Sequence, residues 1–242
     1  MIKIMVTSGG TKEYIDDVRV LTNISTGKLG QMIAQEFIKD SSDMLFQEIT
    51  ETSSMKIVAA TPKYKIYYIC PQGAAVPSGN FDNLEFIKIT DVNSLKTAME
   101  KLVPEMDVVI HSMAVSDFGF KSCNTKLKSS DPQAFIDSLR DRITMNPKIL
   151  PMIKQWNPNC ILIGFKFEVG STHEERQILA KKQIDTCGCD AVLTNDKKEM
   201  QEKSTHVARM YFPDNTWTDA DGKEEIAKMI KTFIKSKLNV HI

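Results

Sequence analysis

The sequence predicts an α/β fold: a Rossmann-like, mostly parallel sheet flanked by helices, with a C-terminal hairpin and helix. Three observations predict it. Apolar runs of strand length alternate with helical patterns, the mark of βαβ units whose right-handed crossovers leave the strands parallel. Runs such as Ile4-Met5-Val6 and Val108-Val109-Ile110 are continuously apolar, as strands covered on both faces must be. The first run ends in Gly9-Gly10, where the backbone can turn with positive φ and expose its amides before a helix begins. At 242 residues the chain reads as a single domain, 1–242, large enough for a substantial core.

Each element has its own signal. The first strand starts at residue 2, and Leu29, Met32, Ile33, Phe37 and Ile38 then recur at helical spacing behind Ser25 or Thr26 as N-cap. Residues 40–62, polar with scattered apolar side chains, read as a spacer in preference to a partner-binding segment. Tyr64 to Cys70 forms the second strand and Leu84 to Ile89 the third. Asp91 caps a helix carrying Val92, Leu95, Met99 and Leu102. A fourth, buried strand runs from Asp107 to Met113. Asp131-Pro132 opens a helix through Phe135, Ile136 and Leu139, with proline at the first helical position. Cys160 to Phe165 is a further buried strand. A helix over 174–183 leads to the last parallel strand, 190–196. Residues 206–212 and 216–217 form a hairpin around Asp214-Asn215, and a closing helix over 223–238 turns Ile226, Met229, Ile230 and Phe233 to the core. Burial of such side chains is worth about 1.5–3 kcal/mol each.

Composition excludes several classes. Thirty-one basic residues balance 31 acidic ones, so bulk charge favours neither nucleic acid nor an anionic membrane. No apolar run approaches the roughly 20 residues of a membrane span. The early first strand leads to the expectation of no signal peptide. Five cysteines (Cys70, Cys123, Cys160, Cys187, Cys189) show no paired C-x-x-C spacing and are expected as free thiols in a reducing cytoplasm.

Two glycine clusters mark the expected site. Gly27 and Gly30 open the first helix, and the unpaired N–H groups there favour an anion. Neither common nucleotide motif is present: Thr22 stands where a P-loop would begin with glycine, Leu29 follows Lys28, and there is no G-x-G-x-x-G. Ligands of open α/β sheets collect at the carboxyl ends of strands, so His111-Ser112-Met113-Ala114-Val115-Ser116-Asp117 should face the Gly9-Gly10 loop. His111 alone reads as a core histidine, and the charged run 121–130 alone as a solvated face.

Four ordered motifs carry a resemblance. Thr7-Ser8-Gly9-Gly10-Thr11, with Arg19-x-x-x-Asn23 before Ser25-Thr26-Gly27-Lys28-Leu29-Gly30, resembles the first motif of the phosphopantothenate–cysteine ligases (phosphopantothenoylcysteine synthetases), standalone form. Ala114-Val115-Ser116-Asp117-Phe118, Asn146-Pro147-Lys148-Ile149-Leu150 and Gly164-Phe165-Lys166 are similar to the other three, across about residues 3–235. The resemblance implies that 40–62 is an insertion, that Ile143–Met145 is a short strand and that 146–150 is a turn. The resemblance implies a ligase of coenzyme A biosynthesis that joins 4′-phosphopantothenate to L-cysteine through an acyl-nucleotidylate. It implies CTP as co-substrate, with ATP as the alternative, Mg²⁺ carried by the triphosphate, and a cytoplasmic homodimer in contact near Ile143–Met145. It also assigns roles. Asn23 and the flap lysine Lys126 are catalytic. Ser112, Met113, Ala114, Asp117, Lys126, Pro147, Lys148, Ile149, Leu150, Phe165 and Lys182 take the nucleotide, with Phe165 against the base at a sheet edge. Gly9, Gly10, Arg19, Asn23, Ser25, Gly27 and Gly30 take the acyl substrate. A second nucleotide lysine of bacterial relatives falls on Ile178, and no metal ligands are assigned.

Two rival classes share the fold. A short-chain dehydrogenase using NAD(P) wants Tyr-x-x-x-Lys, and none of the five tyrosines has lysine four places on. A non-catalytic nucleotide-binding module would bind nucleotide without releasing pyrophosphate when the substrates are present.

Overall fold

The computed structural model describes residues 1–42, 62–79, 81–121, 126–127 and 131–238, and the side chains of all of these but 40–42. The 40–62 insertion therefore lies almost wholly outside the described residues, as does most of the 121–130 run. Eight strands form the main sheet: β1 (Ile2–Thr7), β4 (Tyr64–Pro71), β5 (Leu84–Ile89), β6 (Val108–His111), β9 (Ile161–Glu168), β10 (Ala191–Asp196), β11 (Val207–Tyr211) and β12 (Trp217–Asp221). Their order is β12-β11-β10-β9-β6-β1-β4-β5. Every pairing from β10 to β5 is parallel, and the β10–β11 and β11–β12 pairings are antiparallel.

Strand alternation sends side chains to two cores. Ile4, Val6, Ile66 and Ile110 meet α1 (Lys28–Ser42) and α7 (Lys223–Lys237) on one face. Met5, Ile69, Val109 and Leu162 meet α2 (Val92–Leu102), α4 (Leu150–Trp156) and α5 (His173–Cys187) on the other. Both faces are covered, which is why the strands are apolar without alternation. Ile226, Ala227, Ile230 and Ile234 of α7 are fully buried, while Met229 and Phe233 pack at the margin. The closing helix is core, as its pattern predicts. The chain leaves β1 toward β4 and β5, then crosses back to β6 on β1's other side. The order reverses between β1 and β6, and a crevice opens at such a point.

Several elements differ from expectation. Helix α1 starts at Lys28, so the position before it falls to Gly27 (φ 77°) and not to Ser25 or Thr26. The turn expected at 146–150 runs straight into α4, because Pro151 suits a first turn and Ile153 has a core to enter. A short helix, α6 (Lys197–Glu202), follows β10, capped by Asp196 through the N–H groups of Lys198 and Glu199. Two small ribbons stand outside the main sheet. One pairs β2 (Lys12–Tyr14) with β3 (Val20–Thr22); the other pairs β7 (Phe118–Phe120) with β8 (Ile143–Met145), which follows α3 (Pro132–Arg142). Their strands are three residues long, too short for a period to show in sequence. Cys70, Cys160, Cys187 and Cys189 are free. Among the described residues no helix is long and apolar enough to cross a membrane.

Candidate active site

The two glycine clusters and the end of β6 meet at the switch point. Beyond β1 and β6 the two chains continue to pair through a parallel bridge, Gly10 with Ala114. Ala114 N–H donates to Gly9 O at 2.8 Å, and Thr11 N–H donates to Ala114 O at 3.2 Å. The Asn23 amide adds a donor to the same Ala114 carbonyl, also at 3.2 Å. Ser8 Oγ donates to Gly27 O at 2.9 Å, and Ser112 Oγ to Thr7 O at 2.6 Å. A Cβ on Gly30 would run into both hydroxyls, so the start of α1 can sit against the two strand ends only as glycine. Gly9 turns with φ 83°, while Gly10 keeps an ordinary backbone and does the bridging.

Buried polar groups fix this arrangement. Thr11 Oγ1 accepts from Ser116 N–H at 3.0 Å. His111, buried, shares a 2.9 Å hydrogen bond with Thr7 Oγ1, and burial pushes its pKa down to about 4. It is uncharged at neutral pH and sits as a core histidine. Glu13 is buried and accepts Val92 N–H at 3.0 Å, the first turn of α2; burial pushes its carboxyl up while that N–H opposes the shift. Asn146 N–H donates to Asp117 O at 2.9 Å and its side chain to Ser116 O at 3.1 Å, which joins the fourth-strand loop to the segment before α4.

The family model for the C-terminal domain of DNA/pantothenate metabolism flavoproteins matches residues 1–58 and 72–238. The chain belongs to this family. It is 30% identical over 211 residues to the coenzyme A biosynthesis bifunctional protein CoaBC of Thermococcus kodakarensis, covering 85% of this chain and 44% of that protein. The CoaBC of Methanocaldococcus jannaschii is 27% identical over 194 residues, covering 80% of this chain and 40% of the relative. The chain thus spans less than half the length of these curated relatives. Among solved structures, the DNA/pantothenate metabolism flavoprotein of Streptococcus pneumoniae superposes with a TM-score of 0.76 at 27% identity, covering 98% of this chain and all of that one. A Cab2 mutant in complex with phosphopantothenate-cysteine shares the fold, with a TM-score of 0.70 at 15% identity over 98% and 86% of the two chains.

Within this flavoprotein C-terminal domain, the residues singled out from sequence fall into three groups. Gly9, Gly10, Asn23, Gly27, Gly30, Ser112 and Ala114 converge as described. Ser25 lies beside them, its N–H on Asn23 O at 2.8 Å. Asp117 and Lys148 form an exposed ion pair with each other next to Pro147. Met113 and Ile149 bury their side chains in the α2/α4/α5 core, so only their backbones and that of Leu150 can border a ligand. Phe165 corrects an expectation: β9 is interior, between β6 and β10, and the half-buried ring packs against the α1/α7 core instead of at a sheet edge. Lys182 and Ile178 are exposed on α5.

Arg19 and Lys126 meet through a third residue. Arg19 Nη1 donates to Asp16 Oδ2 at 2.6 Å and to Leu127 O at 3.1 Å, and its guanidinium lies 5.3 Å over the Phe135 ring of α3. Lys126 itself is exposed. Glu13, Asp16, Ser116 and Asn146 escaped the sequence reading. Ser116 and Asn146 lie inside the second and third motifs, so motif membership was the signal available for them. Glu13 and Asp16 stand outside the quoted motifs and acquire their roles from partners 79 and 111 residues away in sequence.

Proposed function

We propose that this domain joins 4′-phosphopantothenate to L-cysteine at the expense of a nucleoside triphosphate. The observation that carries the reading is the Gly10–Ala114 bridge with the Asn23 amide on Ala114 O, which gathers two motifs of the resemblance at one crevice. Its similarity to bifunctional proteins of coenzyme A biosynthesis supports the reading.

A carboxylate is a poor acyl donor in water because its leaving group is poor. In this reading a carboxylate oxygen attacks the α-phosphorus, and the bond to pyrophosphate breaks. The cysteine amine, after losing a proton, then attacks the carbonyl carbon and expels the nucleoside monophosphate. The first step drives an anion onto a polyanion, so nearby cations decide its rate. A unit-charge contact at 4 Å is worth about 4 kcal/mol at an effective dielectric constant of 20. Lys126 supplies one such charge in this reading. Mg²⁺ supplies further neutralisation as part of the bound triphosphate; among the described residues no three His, Cys, Asp or Glu side chains converge on a resident ion. The first-turn amides of α1, at Lys28 to Gly30, suit the phosphate of the acyl substrate. Asp117 and Lys148 can exchange each other for the hydroxyls and phosphates of a nucleotide, and Asn23 lies where it can hold the acyl carbonyl.

The direct test is pyrophosphate release and amide formation with both substrates present. Of the two nucleotides, CTP is expected to give the higher kcat/KM, because Ser112-Met113-Ala114-Val115-Ser116-Asp117 follows the bacterial standalone pattern. A clear preference for ATP overturns that assignment alone, and nucleotide binding without pyrophosphate release overturns the ligase reading.

The two ribbons support a homodimer. Tyr14, Val18 and Ile24 of the first and Phe118, Ile143 and Met145 of the second are exposed apolar side chains, with Ile136 of α3 nearby in sequence. Large exposed apolar patches mark association surfaces. Light scattering at micromolar concentration should show a dimer, and Ile143→Asp with Met145→Asp should shift it to monomer. A monomeric unmodified protein would remove the proposal.

A further inference from the structure

We propose that Asp16 is a positioning residue for Lys126, acting through the backbone of Leu127. This rests on the reading of Lys126 as the cation that offsets triphosphate charge. The Asp16 carboxylate is 2% exposed and accepts four hydrogen bonds. Oδ1 takes Val18 N–H at 2.9 Å and Arg19 N–H at 2.8 Å; Oδ2 takes Arg19 Nη1 at 2.6 Å and Leu127 N–H at 3.1 Å. Through Arg19 the same carboxylate also fixes the donor that reaches Leu127 O. Both polar groups of the Leu127 peptide backbone are therefore held from one turn, 15–19, and Lys126 is the residue next to it.

The other end of the 121–127 stretch is tied to the same turn. Arg142 Nη2 donates to Ile15 O at 2.6 Å and to Lys121 O at 2.7 Å, while Lys121 N–H donates to Arg142 O at 2.9 Å. Turn 15–19 connects β2 to β3, and β2 and β3 join Thr11 to Asn23. The clasp on Leu127 and the Gly10–Ala114–Asn23 cluster thus stand at the two ends of one paired ribbon, and fixing Leu127 places the Lys126 backbone relative to that cluster. A lysine on a long flexible stem gains rate only when its backbone is placed, since ordering it during reaction would cost rotamer entropy. The carboxylate suits this task electrostatically. Burial alone would push its pKa up, but the N–H groups of Val18, Leu127 and Arg19 and the Arg19 charge outweigh that and hold it below the usual aspartate value.

The test is a double-mutant cycle with Asp16→Asn and Lys126→Gln, read as pyrophosphate release with cysteine omitted. An amide has one acceptor oxygen where the carboxylate has two, so Asp16→Asn must give up part of the fourfold set and turn a donor toward Leu127 N–H and Arg19. Asp16→Asn alone should slow release by about 10- to 100-fold, within the range seen for coupled residues of one network. In the Lys126→Gln background the same change should alter release less than about twofold. Hydrogen exchange at the Leu127 amide should quicken in Asp16→Asn and not in Lys126→Gln. Equal slowing in both backgrounds, or quicker exchange at Leu127 with an unchanged rate, overturns the inference while leaving the role of Lys126 standing. Full pyrophosphate release by Lys126→Gln alone instead overturns the role of Lys126, and the inference with it. Should Asp16→Asn unfold, Asp16→Glu carries the same cycle, because it keeps the charge and both acceptor oxygens but moves them by one methylene away from the placing of Leu127 N–H; an equal effect in both backgrounds then counts against the inference.

Discussion

Lys126→Gln is expected to lower pyrophosphate release, measured without cysteine, by about 10²–10³-fold, the usual cost of one charge-stabilising group aimed at a transition state. Glutamine keeps most of the length and the polarity but not the charge, so the loss reports neutralisation and not reach. The effect falls on the first half-reaction. If acyl-nucleotide is supplied by other means, its conversion by cysteine should change little, because the triphosphate is no longer present. The side chain is exposed, so the fold should be indifferent to the change. Thermal unfolding on the same samples should agree with the unmodified protein within a few degrees, roughly what less than 1 kcal/mol produces in a chain of this size. Unimpaired pyrophosphate release would remove Lys126 from the mechanism.

Asn23→Asp should show the opposite split. Pyrophosphate release should continue, while amide formation after cysteine is added should fall by about 10²-fold, the cost of losing an aimed donor. The Asn23 amide donates to Ala114 O, and aspartate at that place offers an acceptor to an acceptor. It also sets a second negative charge near the phosphate of the mixed anhydride. Acyl-nucleotide should therefore accumulate and be detectable in the quenched reaction. Part of the change is structural, since the lost hydrogen bond to Ala114 is worth about 0.5–1.5 kcal/mol. A loss of both half-reactions together with a large drop in Tm would mean that Asn23 only holds the crevice closed. Wild-type rates in both would mean that it does neither.

The amino-acid sequence by itself determined the α/β class, the main strands and the core-facing helices. Those features rest on local periodicity, and a strand such as Val108-Val109-Ile110 must be covered on both faces wherever it is placed. It also marked the glycine clusters, because Gly27 with its positive φ and Gly30 with two hydroxyls against it are demands that only one residue type meets. What it could not determine were relations between distant segments. The strand order that sets the switch point between β1 and β6 is a property of the assembled sheet. The interior place of β9, which takes the Phe165 ring into the core, follows from that order as well. The β2–β3 and β7–β8 ribbons are too short to carry a period, and they exist because each strand finds a partner. Asp16 is the clearest case. Its position within a polar turn looks like ordinary solvated surface, and only folding brings Leu127, 111 residues along the chain, against its second oxygen. A carboxylate's role depends on which donors surround it, and tertiary structure alone supplies those donors.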